Sequence, residues 1–153
     1  MSKEALAKVP TIEYSILSCQ SVRLEDAKAI SKLLNSFKQK SSYIDVLRML
    51  KNMSRQQILL TARHSGLIIG IHTVVIEYTA YQSGNFAHIE KLAVDQDYRM
   101  FGVGETLYEM AIKLATDYGC SRIVFAAKDE MLNWFLDRGA ERQAQNVMYI
   151  HLK

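Results

Sequence analysis

From Tyr14 to Val22 apolar and polar residues alternate, the period of a strand with one buried face. At Arg23 the period changes. Ala27, Ile30, Leu33, Leu34 and Phe37 fall on one helical face with Lys28 and Lys32 opposite, which predicts a helix over Arg23 to Phe37. Ser41 and Ser42 supply caps for a second helix that buries Tyr43, Val46, Leu47 and Leu50, and Asp45 favours its positive end. Strand patterns follow at Gln57 to Arg63, Leu67 to Tyr81 and Phe86 to Val94, separated by the turns His64-Ser65-Gly66 and Gln82-Ser83-Gly84-Asn85. Short turns containing glycine between such runs predict an antiparallel meander. His72 breaks the long apolar run Leu67 to Ile76. Glu105 to Tyr118 carries the clearest helical stripe, with Leu107, Met110, Ala111, Leu114, Ala115 and Tyr118 on one face and Gly119 as its stop. A strand over Ser121 to Ala127, a helix over Asp129 to Arg138 ended by Gly139, and a last strand over Asn146 to Leu152 complete the pattern.

The order β-α-α-β-β-β-α-β-α-β predicts an α+β fold. Its sheet is mixed, mostly antiparallel and of six to seven strands, with helices on both faces. Ile89 to Ala127 should form a right-handed parallel crossover. Residues 1–11 read as a tail and 12–153 as a single domain. Composition is globular: 49% hydrophobic and 23% charged over 153 residues, enough for one core. The net charge of +3 does not by itself demand a nucleic-acid partner, and no surface interleaving aromatic and basic residues appears. Two cysteines, Cys19 and Cys120, cannot build a disulfide framework. No apolar run approaches the roughly 20 residues a bilayer needs, and the first ten residues lack the apolar segment of a signal peptide. A cytoplasmic location without membrane attachment is expected.

The chemistry concentrates in His88 to Thr106, HIEKLAVDQDYRMFGVGET. A strand ends at Val94, a polar turn follows, and Arg99-Met100-Phe101-Gly102-Val103-Gly104 leads into the strongest helix. Two glycines at a helix start leave backbone N–H groups uncovered, the helix end adds partial positive charge, and Arg99 adds a full one. Together they make an anion cradle suited to a pyrophosphate. A P-loop requires GxxxxGK, which is missing. A dinucleotide fingerprint requires a third glycine where Leu107 stands.

Arg99-x-x-Gly102-x-Gly104, preceded by Leu92-Ala93-Val94 at a strand end, resembles motif A of the GCN5-related N-acetyltransferase (GNAT) family, and the element order of Ile12 to Leu152 is similar to that family's. The resemblance implies an acyl-CoA donor, acetyl-CoA foremost. Leu92, Ala93 and Val94 would pair with the pantetheine amides as an added strand does. Backbone N–H groups of Met100, Phe101, Gly102, Val103, Gly104 and Glu105 would hold the pyrophosphate, with Thr106 adding its hydroxyl. Arg99 would brace the loop or touch phosphate. No metal is implied.

Acetyl transfer by direct attack needs a base for the amine. The family places bases on this strand, and His88 and Glu90, two apart, share one face. Its usual acid is a tyrosine on the fourth helix. Counting back from Gly139 in Trp134-Phe135-Leu136-Asp137-Arg138-Gly139-Ala140 puts Phe135 at that place, where it offers the CoA sulfur apolar contact and no proton. Trp134 reads as core. The resemblance implies an acceptor region at roughly Asn35 to Met53 and Arg142 to Tyr149. There Phe37, Tyr43, Met49 and Met53 line either a pocket or the core, and Lys38-Gln39-Lys40 disfavours a polyamine. Two functions compete: an N-acetyltransferase acting on the amine of a small molecule or peptide, and a non-catalytic CoA-binding module that regulates a protein partner. A homodimer is compatible with either.

Overall fold

The computed structural model describes residues 9–80, 84–145 and 148–152. Its elements are β1 (Glu13–Leu17), α1 (Leu24–Ser36), α2 (Tyr43–Lys51), β2 (Gln57–His64), β3 (Leu67–Glu77), β4 (Asn85–Val94), a 3-10 turn (Gln96–Phe101), α3 (Val103–Asp117), β5 (Cys120–Val124) and α4 (Asp129–Leu136). The strands form one sheet in the order β1-β2-β3-β4-β5, antiparallel except for the parallel pair β4–β5. The fold is the α+β class expected, with helices on both faces.

The sheet has five strands, not six to seven. The predicted last strand is the reason. Asn146 and Val147 lie outside the described residues, and Met148 to Leu152 have no strand conformation and are exposed. Alternation marks a segment that can enter a sheet, but a strand exists only where a neighbour takes its N–H and C=O groups, and no pairing is found for these five residues among those described. The first strand also stops early, at Leu17, because Ser18 turns the chain: its carbonyl accepts the Ser21 N–H at 3.0 Å. The tail residues 1–8 and Tyr81 to Ser83 lie outside the described residues.

Two cores sandwich the sheet. On one face Ala27, Ile30, Leu33 and Leu34 of α1 and Val46 and Leu50 of α2 pack on Leu59, Ile71 and Ala93. On the other, Val103, Leu107, Ala111 and Ala115 of α3 and Phe135 of α4 pack on Leu60, Val74, Ala87 and Ile89. The cap read in the sequence is present, since the Ser42 hydroxyl accepts the Asp45 N–H at 3.1 Å. Gly70 sets how closely α3 sits on the sheet. A Cβ there would stand 3.1 Å from Val103 and 3.2 Å from Leu107. Any larger residue at 70 would therefore push the first turns of α3 outward, and with them the loop before that helix.

Candidate active site

Strand β4 carries a bulge. Thr73 of β3 pairs with Glu90 and Ile71 with Ala93, so His72 alone faces both Lys91 and Leu92. Lys91 takes a left-handed backbone, φ 50°. The extra residue reverses the alternation. Ala87 and Ile89 belong to the α3-side core, and after the bulge Leu92 and Val94 belong to it again while Ala93 faces α1 and α2. His88 and Glu90 alternate with Ala87 and Ile89, so they share the α1/α2 face, as their spacing predicts.

The pairing of β4 with β5 ends at His88↔Val124, whereas β4 runs on to Val94. The sheet edge from Ile89 to Val94 therefore has no strand beside it among the described residues. At the end of this edge the Arg99 Nε donates to the Val94 carbonyl at 3.1 Å, and its guanidinium lies over the Phe37 ring, 5.1 Å from the centroid. Arg99 thus braces the turn after β4, one of the two roles expected for it.

The turn then closes on itself. The Asp95 side chain accepts the Asp97 N–H at 3.0 Å, and Gly102 takes φ 70° as the N-cap of α3 without any side-chain cap. The helix begins two residues before the predicted Glu105 because Gly102 absorbs the change of direction. The Thr106 N–H donates to the Gly102 carbonyl, so the N–H groups of Val103, Gly104 and Glu105 precede the first intrahelical bond. No acceptor for them is found among the described residues. A Cβ built on Gly102 meets nothing within 4 Å, so open space lies beside the glycine that precedes these donors. Bare donors, positive helix-end potential and open volume fit an anionic pyrophosphate.

The candidate bases differ in their surroundings. Glu90 is exposed and forms no ion pair among the described residues. The His88 Nε2 lies 3.1 Å from the Glu77 carboxylate, and its ring packs edge-on to Phe86. A carboxylate accepts, so Nε2 carries the proton and Nδ1 of the neutral ring is the acceptor. Glu77, the last residue of β3, was not singled out in the sequence. The antiparallel register, with Val75 opposite His88, is the signal that places it on the same face.

Phe135 is only 8% exposed. Its ring lies 4.6 Å from Phe125, 4.9 Å from Trp134 and 5.5 Å from Tyr108. The expected contact with the CoA sulfur meets a side chain occupied in core packing. Trp134 is partly buried against the same core, as its pattern predicts. Helix α4 ends at Leu136, two residues before the predicted Arg138, and a turn carries the chain to Gly139, φ 88°, where the Ala140 N–H returns to the Phe135 carbonyl at 3.1 Å. Tyr108 keeps its phenolic proton more firmly than usual because burial raises its pKa, an effect that nearby Arg138 partly opposes. Arg138 stacks on Trp134 at 3.9 Å and reaches Glu105 in the first turn of α3 at 3.3 Å. It brings beside the cradle a positive charge that no motif in the sequence announces.

In the acceptor region Phe37 and Met53 pack against the α1/α2 core, whereas Tyr43 and Met49 are exposed. A groove of about 690 Å³ opens between α1 and the Asp95–Arg99 turn. Neither His88 nor Glu90 lines it, so it is separate from the candidate bases. Among the described residues no cluster suited to a metal ion occurs, and no helix is long and apolar enough to cross a membrane.

A meander whose last strand feeds a glycine-capped helix, with a free strand edge leading to a helix N-terminus, defines the α+β class of this fold. Residues 27–147 match the acetyltransferase (GNAT) family, and the chain belongs to that family. Solved structures with the same fold include an acetyltransferase from Trypanosoma brucei, at 20% identity and TM-score 0.77, the match covering 93% of this chain and 100% of that one. Glucosamine-6-phosphate N-acetyltransferase from Arabidopsis thaliana is similar at 16% identity and TM-score 0.74, covering 90% and 98%. Ribosomal-protein-alanine N-acetyltransferase from Brucella melitensis is similar at 18% and 0.73, covering 94% and 100%.

Proposed function

We propose that this chain is an N-acetyltransferase that moves an acetyl group from acetyl-CoA to the amine of a small molecule or peptide. The observation that carries this reading is the pair of features in line on β4. Unpartnered N–H groups of 103–105 stand at one end, and His88 and Glu90 stand where β4 and β5 part. The pyrophosphate sits over Gly102, the pantetheine follows the edge at Leu92 and Ala93, and the thioester arrives near Glu90. The amine nitrogen attacks the thioester carbonyl. A C–N bond forms and the C–S bond breaks. The amine proton passes to Glu90 or His88, directly or through water, and the thiolate takes its proton from water. The acceptors named for the similar structures are a sugar phosphate and a protein alanine, so both a small molecule and a polypeptide suit this fold.

Phe135 favours a second reading, a CoA-binding regulator without catalysis, because the usual acid position holds a buried ring with no proton. Titration calorimetry with acetyl-CoA and thiol release against a panel of amines and peptides separate the two. The enzyme binds and releases thiol with at least one acceptor, whereas the regulator binds and releases none. Gly102→Val is expected to weaken acetyl-CoA binding at least tenfold. Valine is strained at φ 70° by about 1–2 kcal/mol, and its methyl groups enter the open space beside the cradle. Unchanged affinity in that variant would place the pyrophosphate elsewhere.

A further inference from the structure

His72 is 1% exposed and sits on β3 opposite the β4 bulge. It pairs with Leu60, and Gly70 and Val74, two residues either side, face α3, so its ring lies among the apolar residues of that core. Its Nδ1 is 3.0 Å from the Glu90 carbonyl oxygen. A carbonyl only accepts, so Nδ1 carries the proton. Nε2 is then a bare acceptor, and it is buried without a partner. Burial also drives the imidazole pKa down to about 4, the bond to Glu90 opposing it only in part, so the ring is neutral at physiological pH.

A leucine would fill this space without desolvating a ring nitrogen. Packing therefore does not account for a histidine here. The Nδ1–H bond does. A bulge disrupts the ladder locally, and this one also holds Lys91 in a left-handed conformation that L-residues disfavour. The imidazole supplies a donor to the carbonyl of the residue just before Lys91, the point where the alternation of β4 reverses. We propose that His72 is a positioning residue that pins the β4 bulge and thereby holds Glu90 toward the reacting thioester. This rests on the reading of Glu90 as a base.

The test uses the full chain, with acetyl-CoA and whichever amine supports thiol release. Long-range nitrogen–proton spectra at pH 7 should show His72 as the Nδ1–H tautomer, assigned by its loss in His72→Asn. The Nε2–H tautomer would overturn the pin in the intact protein. His72→Leu removes the donor, whereas His72→Asn places an amide nitrogen near the Nδ1 position. His72→Leu should move the backbone amide signals of Glu90 to Ala93 and lower kcat about tenfold. It should leave acetyl-CoA affinity within about threefold, and His72→Asn should recover most of the loss. If Glu90→Gln is impaired while His72→Leu keeps full kcat, His72 does not position Glu90. If Glu90→Gln itself keeps full activity, the base assignment fails instead, and the tautomer and amide shifts still decide whether the pin exists. Should His72→Leu not fold, the wild-type tautomer and the kinetics of His72→Asn carry the decision, a loss of kcat in the folded asparagine variant with the Nε2–H tautomer in the parent counting against it.

Discussion

The double variant Glu90→Gln/His88→Ala is expected to lose turnover by about 10²–10⁴-fold at pH 7, the range typical of a missing general base. The two side chains share the α1/α2 face, and His88 stands at the last β4–β5 pair, where the free strand edge begins. A base there meets an amine approaching from that face. His88 does not act alone, because Glu77 at 3.1 Å orients its ring and leaves Nδ1 as the acceptor. The deficit should shrink as pH rises, since more of the acceptor is already a free amine. Acetyl-CoA affinity should change less than about threefold, because neither residue belongs to the Gly102 cradle. Thiol release from pH 6.5 to 9.5 and calorimetry on the same protein check both statements. Full activity of the double variant at pH 7 would mean that the amine loses its proton in solution and neither residue takes part.

The helix start after Gly102 was legible because its causes are local. Glycines followed by a strong apolar stripe mark a helix start, and the two signals adjoin, Gly102 and Gly104 leading into the stripe from Leu107 to Tyr118, while the φ of 70° at Gly102 moves the start to Val103. The same holds for the Ser42 cap. The bulge was not legible. Lysine has no preference for the left-handed region, and nothing near residue 91 announces that it is held there. The holding group is His72, on another strand. The sequence showed it only as an interruption in an apolar run, and neither its contact with the Glu90 carbonyl nor its burial follows from periodicity. Phe135 makes a related point. Its distance from Gly139 fixes its place on the helix, yet its direction depends on how α4 is rolled against α3, and that is decided by Tyr108, Phe125 and Trp134. The segment Met148 to Leu152 has strand alternation and no strand, because alternation cannot specify a neighbour.

Asp26→Ala is expected to cost about 3–5 kcal/mol of folding stability, the range found when one partner of a buried ion pair is removed. Asp26 is 2% exposed in the first turn of α1. Its Oδ1 accepts from Arg63 at 2.7 Å and from Arg23 at 3.1 Å, and Oδ2 accepts the Arg23 N–H at 3.1 Å. Both guanidinium groups also donate to the Gly66 carbonyl, at 3.0 Å and 3.2 Å, so one carboxylate ties the start of α1 to the β2–β3 turn. Losing it leaves Arg63, 14% exposed, as a largely desolvated charge with no anion. Burial alone would raise the Asp26 pKa, but the two arginines outweigh it and hold it at about 2, below the ordinary 3.8. Between those values the unfolded chain binds the proton and the folded one does not, so stability rises with pH across that window. The contribution is fully present above about pH 4 and is lost as pH falls through about 2, and it amounts to about 2 kcal/mol. Urea unfolding at pH 7, 4, 3 and 2.5 should show the parent weakening over the acid range. Asp26→Asn should be less stable at pH 7 and flatter below pH 4. If Asp26→Ala costs under 1 kcal/mol at pH 7, the tie between α1 and the hairpin does not hold the fold together, and α1 is kept in place by its apolar face of Ala27, Ile30, Leu33 and Leu34.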